Sequence, residues 1–264
     1  MTIIKSNLEV FRSGSPNNRA IIFIHGFPYD HLMWNHQVNE FMNDYYCIAY
    51  DVRGLGESPV GDGQYTMELF VDDLFEILDV YKPFHPVLCG LSMGGYIALR
   101  AMERFGEKFS GLILCDTKPQ ADTNEGKIKR ALGIKMINEE GVEKFVSDFV
   151  PNCFGENFRK KNFAEYNTIL QRSLNSNPTA VKGCLLAMAG RTDTTESLSS
   201  IRIPSMVICG EHDALSTPQV MKEMASRIPG SRFVLVPTSG HMSPIENHDF
   251  VNKMIRNFLA AYNL

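Results

Sequence analysis

The stretch of sequence that decides the fold is residues 86–99, PVLCGLSMGGYIAL. It opens with an apolar run that is typical of a buried strand and closes with an Ala- and Leu-containing run that is typical of a helix. The turn between them, residues 90–94, has the pattern G-x-S-x-G, and this strand–turn–helix setting is the one that a nucleophile elbow requires. Glycines are needed there because so sharp a turn leaves no room for side chains. We therefore predict that Ser92 is a nucleophile held above a sheet; a phosphate-binding loop or a plain strand-to-helix turn is the alternative.

The rest of the chain alternates between predicted strands and helices. The apolar runs are continuous, as expected of parallel strands that are buried on both faces. They lie at 20–24, 46–50, 87–89, 112–115, 206–209 and 233–236. Helical patterns lie at 31–44, 67–81, 93–105 and 249–262, with Asp30 and Thr66 as N-caps of the first two. This alternation predicts an α/β class, a mostly parallel twisted sheet with helices on both faces, and residues 2–12 as a hairpin at its edge.

One long segment, 119–200, breaks this rhythm. It shows helical patterns and no strand, and it is too long to be a loop. We predict that it forms a helical cap inserted into a core made of residues 1–118 and 201–264. Because the candidate site residues fall on both sides of the segment, the core is predicted to be one domain.

A serine hydroxyl becomes a useful nucleophile only when a base takes its proton, and a carboxylate must orient that base. His241 and Asp213 both follow predicted strands, at the edge where parallel sheets place their sites. We predict that they are the base and the acid. Asp116, which also follows a strand, is a rival acid, and His25 is predicted to brace its loop rather than to act as a base.

Attack on a carbonyl also needs two N–H donors for the oxygen that becomes negative. The N–H of Met93, directly after the nucleophile, is one candidate. The other is the N–H of Phe27, in the loop after the first long strand.

Composition excludes several classes of protein. The chain has 264 residues, a formal net charge of −4 and no block of basic residues, so nucleic acid is not an expected partner. It has six Cys without CxxC or zinc-site spacing, so no metal is predicted. No apolar run approaches the length of a membrane span, and residues 1–10 lack the apolar core of a signal peptide. A reducing, cytoplasmic setting is expected, and the oligomeric state is left open.

Taken together, five pieces of the chain resemble the α/β-hydrolase superfamily. They are residues 25–28 (HGFP), 51–58 (DVRGLGES), 90–95 (GLSMGG), 210–213 (GEHD) and 239–241 (SGH). The order Ser92, Asp213, His241 is also the order of that fold. The resemblance implies the α/β-hydrolase fold and structural roles for Asp51 and Arg53. Ser92 stands where haloalkane dehalogenases and epoxide hydrolases use Asp, which disfavours both classes.

Within the serine branch, the sequence is similar to 3-oxoadipate enol-lactonases and carboxylesterases. This implies a serine hydrolase that cleaves a small carboxylic ester or lactone through an acyl-enzyme, without a cofactor. The alternatives are a carbon–carbon bond hydrolase, a cofactor-free haloperoxidase or perhydrolase, and a non-catalytic small-molecule receptor. Residues expected to bind the substrate are Trp34, Phe145, Phe149 and Met242.

Overall fold

A seven-stranded sheet forms the centre of the protein in a computed structural model that describes residues 7–264. The strands lie in the order β1-β3-β2-β4-β5-β6-β7, and all neighbours are parallel except β1 and β3. Their bounds are β1 Val10–Ser13, β2 Arg19–Ile24, β3 Tyr46–Tyr50, β4 Phe84–Leu91, β5 Gly111–Cys115, β6 Ser205–Gly210 and β7 Arg232–Val236.

All six strands expected from the apolar runs are present, and the α/β class is confirmed. Residues 20–24 of β2 are fully buried, because β2 is an inner strand with helices on both sides of the sheet. The predicted hairpin at 2–12 falls partly outside the described residues. In its described part, β1 pairs antiparallel with β3 and forms one edge of the sheet.

Helices cover the sheet. Their bounds are α1 Asn35–Phe41, α2 Met67–Tyr81, α3 Met93–Phe105, α4 Asn124–Glu140, α5 Val142–Phe149, α6 Glu156–Lys161, α7 Phe163–Leu174, α8 Pro178–Ala189, α9 Pro218–Arg227, α10 Ser243–Glu246 and α11 His248–Tyr262. The helices α2 and α3 begin and end where the sequence predicts. The helix expected at 31–44 is instead a 3-10 turn, His31–Trp34, followed by the shorter α1.

Both predicted N-caps are present. The Asp30 carboxylate accepts a hydrogen bond from the N–H of Leu32, and the Thr66 hydroxyl accepts one from the N–H of Leu69. Each cap satisfies a donor that the first turn of a helix leaves without a partner.

Helices α4 to α8 lie between β5 and β6, and the described residues 116–204 contain no strand. Segment 119–200 is therefore helical, while its role as a cap and the boundaries of the core stay predictions. Two polar contacts link it to the first part of the chain. An Arg172 nitrogen lies 2.7 Å from a carboxylate oxygen of Asp30, and Nε2 of His36 lies 2.7 Å from a carboxylate oxygen of Glu165.

None of the helices in the described part of the chain has the length and apolarity that crossing a bilayer requires. The six cysteines are all free and buried.

Candidate active site

Ser92 occupies a sharp turn between β4, which ends at Leu91, and α3, which begins at Met93. Its φ of 52° and ψ of −113° are strained for a residue with a side chain. A Cβ on Gly94 would lie 2.2 Å from the Ile24 carbonyl oxygen, and one on Gly90 would lie 2.4 Å from that of Gly94. Only glycine fits at either position. The two glycines of the pattern are therefore required by the close approach of the backbones of β2, β4 and α3.

The structure brings Ser92, His241 and Asp213 together from three separate loops. Nε2 of His241 lies 2.9 Å from Oγ of Ser92, and Nδ1 lies 2.8 Å from Oδ2 of Asp213. Because a carboxylate can only accept a hydrogen bond, Nδ1 carries the proton. In the neutral ring, Nε2 therefore has a free electron pair directed at the Ser92 hydroxyl.

Charge and burial act in opposite directions on His241. Burial alone would lower its pKa, but the carboxylates of Asp213, Asp116 and Glu246 together outweigh burial, with Asp213 contributing most, and the pKa is raised above its ordinary value. The imidazolium form is thus stabilised by the residue that also fixes the tautomer.

Asp213 and the rival acid Asp116 are both buried, and only Asp213 contacts His241. The second oxygen of Asp213 accepts hydrogen bonds from the N–H groups of Leu215 and Ser216 at 2.8 and 3.0 Å. Asp116 instead accepts from the Gly210 N–H at 2.7 Å and from the Ser243 hydroxyl at 2.5 Å. Burial, together with the neighbouring charge of Asp213, raises the pKa of Asp116.

The loop that carries His241 is fixed by Glu246, a residue that the sequence did not single out. One oxygen of Glu246 accepts from the N–H groups of Gly240 and Met242 at 3.0 and 3.2 Å. The other accepts from the Gly155 N–H at 2.8 Å. Glu246 therefore ties this loop to the inserted helical segment.

The loop that carries Phe27 is braced by His25, as expected. Nδ1 of His25 lies 2.9 Å from the Gly26 carbonyl oxygen, and Nε2 accepts from the Val52 N–H at 2.8 Å. These partners leave one proton on the ring, and burial lowers the pKa of His25, so this imidazole is neutral.

The two predicted oxyanion donors lie at suitable places in the fold. The N–H of Met93 is the first of α3, so it has no acceptor within the helix. Among the described residues, the N–H of Phe27 donates to no other backbone or side-chain group.

A cavity of about 500 Å³ opens beside Ser92 and His241. Phe27, Phe145 and Phe149 form an aromatic cluster on one of its sides, with ring centres 5.6 to 6.1 Å apart. The structure therefore places two of the four predicted substrate-binding residues at the cavity.

The other two predicted residues, Trp34 and Met242, are not among the residues that line this cavity. Both side chains are fully buried. Trp34 ends the 3-10 turn and packs on Phe23 of β2, with ring centres 5.2 Å apart. Met242 follows His241 in sequence, and its side chain belongs to the hydrophobic core.

Several residues that line the cavity were not predicted. The inserted helices contribute Leu185 and Met188, and Tyr96 comes from α3. Lys118, three residues beyond the end of β5, also lines it. The rule that parallel strands place site residues at their carboxyl ends could have identified Lys118 from the sequence.

Two groups of side chains in the described part of the chain have a composition that metal ions can bind. They are Asp30, His31 and Asp51, and Asp116, Cys209 and Asp213. Their carboxylates already accept hydrogen bonds from protein donors, including His31 at Asp51 and His241 at Asp213. Internal hydrogen bonding thus accounts for both groups.

Comparison with known proteins places this geometry in a family. Residues 19–248 match the model of the alpha/beta hydrolase fold, and the chain belongs to that family. The resemblance inferred from the sequence is thereby confirmed.

Individual relatives cover nearly the whole chain. A thermophilic esterase from Thermogutta terrifontis, solved with malate bound, is 34% identical and superposes with a TM-score of 0.92 over 97% of this chain and 94% of its own. The enol-lactonase from Burkholderia xenovorans LB400 is 26% identical, with a TM-score of 0.89 over 96% of both chains. The 3-oxoadipate enol-lactonase 1 of Acinetobacter baylyi is 27% identical over 96% of this chain and 93% of its own.

Proposed function

We propose that this protein is a serine hydrolase that cleaves a small carboxylic ester or lactone through an acyl-enzyme. The observation that carries the proposal is the continuous hydrogen-bonded line from Ser92 Oγ through His241 to Asp213, with distances of 2.9 and 2.8 Å. At its Ser92 end, this line of hydrogen bonds borders a cavity that is large enough for a small organic molecule.

In the first half of the reaction, Ser92 Oγ attacks the substrate carbonyl carbon while its proton passes to Nε2 of His241. The N–H groups of Phe27 and Met93 hold the oxygen that becomes negative, each contributing about 3 kcal/mol to lowering the barrier. The imidazolium, stabilised by Asp213, then gives its proton to the leaving oxygen. An ester releases an alcohol at this point, whereas a lactone keeps the new hydroxyl attached to the acyl group.

In the second half, His241 takes a proton from water, and the resulting hydroxide attacks the acyl carbon. The bond to Ser92 Oγ breaks, the proton returns to the serine, and the carboxylic acid leaves. The aromatic cluster of Phe27, Phe145 and Phe149 lines the cavity in which the acyl or alcohol portion would lie.

The names of the relatives support this reaction class, since they include an esterase and two enol-lactonases. Esters and lactones share the acyl–oxygen bond that this mechanism breaks. Free cysteines fit a cytoplasmic location, which we propose together with a small molecule as the partner.

The test compares the wild type with Ser92→Ala on a panel of short-chain methyl and 4-nitrophenyl esters and five- and six-membered lactones. We expect the substitution to lower kcat/KM by at least about 1,000-fold. Ser226→Ala is the matched control, because its exposed hydroxyl bonds only to its own helix, and we expect wild-type rates. A fluorophosphonate probe should label the wild type and not Ser92→Ala.

Wild-type turnover by Ser92→Ala would overturn the nucleophile assignment. Stoichiometric labelling without turnover of any ester or lactone would overturn the proposed activity and favour the receptor alternative.

A further inference from the structure

A second cavity, of about 300 Å³, lies between the α7 helix of the inserted segment and the first part of the chain. We call it the α7 cavity. Tyr29 and Met33, from the loop and 3-10 turn that follow β2, contribute to its lining, as do Ile169 of α7 and Ile245 of α10. In the described part of the chain, it shares no lining residue with the cavity beside Ser92. The α7 cavity is therefore distinct from the candidate active site.

The charged side chains at the α7 cavity are paired with one another. One carboxylate oxygen of Asp30 accepts from two nitrogens of Arg172, at 2.7 and 3.0 Å. Nε2 of His36 lies 2.7 Å from a carboxylate oxygen of Glu165. All four residues line the cavity. A charged ligand would have to break one of these pairs or stay unpaired, and burying an unpaired charge is costly. The pairing therefore favours a neutral ligand.

The rest of the lining is mainly apolar and includes one hydroxyl without a partner. Leu32, Met33, Ile169 and Ile245 contribute apolar side chains. Ser173 also lines the cavity and is 3% exposed, and its hydroxyl makes no hydrogen bond to another group of residues 7–264. A dry apolar cavity of about 150 Å³ can hold benzene, so a cavity of about 300 Å³ has room for two fused rings. A ligand with an aromatic body and one hydrogen-bonding group fits this lining.

Two lining residues of the α7 cavity hold the loop that carries the candidate oxyanion donor Phe27. The Gly26 N–H donates to Sδ of Met33 at 3.3 Å. The Gly26 carbonyl oxygen accepts from the Tyr29 N–H at 3.0 Å. Gly26 directly precedes Phe27, so the position of the Phe27 N–H depends on two residues that a ligand in the α7 cavity would contact.

A third lining residue is joined to the loop of the candidate base. The Ile245 N–H donates to the Met242 carbonyl at 2.9 Å, and Met242 directly follows His241. Ile245 is buried, so a ligand packed against it would contact a fixed part of that loop. The α7 cavity thus borders residues bonded to both loops of the candidate active site. A ligand that binds one arrangement of these loops better than others shifts the population toward that arrangement.

We propose that the α7 cavity binds a neutral aromatic molecule of about two fused rings with one hydrogen-bonding group, and that its occupancy raises turnover at Ser92. A ligand packed against Met33 and Ile245 favours the loop arrangement in which Nε2 of His241 lies 2.9 Å from Ser92 Oγ. The binding site stands independently of the hydrolase function, whereas the effect on turnover rests on that proposed function.

The binding experiment uses three probes of the same shape and different charge: neutral 2-naphthamide, anionic 2-naphthoate and cationic 2-naphthamidinium. By calorimetry at neutral pH, we expect the wild type to bind the amide at least about tenfold more tightly than either ion. Ile169→Trp fills the α7 cavity and should weaken binding of the amide at least about tenfold. Ile169→Phe, a smaller change, tests the same point if Ile169→Trp does not fold. Gln171→Trp is the matched control, because it adds the same indole at an exposed position of α7 outside the cavity, and it should bind as the wild type does.

The turnover experiment measures hydrolysis of 4-nitrophenyl acetate with and without saturating 2-naphthamide. We expect the amide to raise kcat at least about twofold, with little change in KM, in the wild type and in Gln171→Trp. The rates of Ile169→Trp should not respond to the amide.

Failure of 2-naphthamide to bind, or unchanged binding in the Ile169 variants, would overturn the site. Tighter binding of either ion would overturn the neutral class of ligand. An unchanged or lower kcat, or a rise in KM alone, would overturn the effect on turnover. If the protein hydrolyses no ester, the hydrolase function and the effect on turnover both fail, while calorimetry still decides whether the α7 cavity is a binding site.

Discussion

The carboxylate of Asp213 lies 2.8 Å from Nδ1 of His241, while the equally buried carboxylate of Asp116 bonds to the Gly210 backbone and to Ser243. Of these two carboxylates, only that of Asp213 bonds to the imidazole and fixes its tautomer. Burial lowers the pKa of His241, but the charge of Asp213, followed by those of Asp116 and Glu246, raises it above its ordinary value. The two acids therefore make separable contributions to the site.

Asp213→Asn should lower kcat/KM by about 10⁴-fold, because an amide can donate to Nδ1 and favour the tautomer that cannot accept from Ser92. Its pH dependence should also change. Activity requires unprotonated His241, so wild-type kcat/KM should rise with pH through a midpoint above 6.5, the ordinary value for His. Without the carboxylate, burial dominates and the midpoint should move below the wild-type value. Ester hydrolysis measured between pH 4 and 9, roughly the range over which carboxyl and imidazole groups titrate, checks both effects.

Asp116→Asn is the matched control, since an amide can keep the bonds to Gly210 and Ser243. We expect it to lose less than about tenfold in kcat/KM and to lower the midpoint less than Asp213→Asn does. A larger loss in kcat/KM for Asp116→Asn than for Asp213→Asn would show that Asp116 is the acid.

Much of the fold could be predicted from local patterns. Strands that are buried on both faces must be continuously apolar, so runs such as 46–50 predict strands. Cap residues such as Thr66 predict where helices begin. The approach of Ser92, Asp213 and His241 followed from a single rule, because the carboxyl ends of parallel strands share one edge of the sheet.

The lining of the cavity could not be predicted in the same way. Trp34 is among the residues expected to bind the substrate, but its ring packs on Phe23 in the core, and packing of this kind is not visible in the sequence. The role of Glu246 depends on its bond to Gly155, which is 91 residues away in the sequence. Such contacts depend on how the inserted helices lie on the sheet, and no local periodicity encodes that.

Gly94→Ala should destabilise the protein, because a Cβ there would lie 2.2 Å from the backbone oxygen of Ile24, and neither segment can move without disturbing the sheet. We expect a loss of about 1–3 kcal/mol in the free energy of unfolding, measured by urea denaturation. Gly190→Ala is the control, since its Cβ would meet nothing closer than 3.5 Å, and it should unfold at the wild-type urea concentration. Equal midpoints for Gly94→Ala and Gly190→Ala would contradict the steric argument.

Glu246→Gln should weaken the link between the loop of His241 and the inserted helices. The carboxylate accepts from Gly240 and Met242 with one oxygen and from Gly155 with the other. An amide has one acceptor oxygen, so its NH₂ group must face at least one of these N–H donors. Leaving a partly buried N–H without an acceptor should cost about 1–3 kcal/mol in the free energy of unfolding.

Activity should fall together with stability in Glu246→Gln, because the Gly240 and Met242 bonds flank His241 and set the position of its ring relative to Ser92. We expect a lower kcat with little change in KM, since Glu246 does not line the cavity. Glu156→Gln, next to Gly155 but fully exposed and paired only with Lys160, should leave both Tm and kcat unchanged. If Glu246→Gln instead matches Glu156→Gln in both measurements, the bonds to Glu246 do not position His241. In that case the loop is held by the hydrogen bond from the His241 backbone N–H to the Cys153 carbonyl.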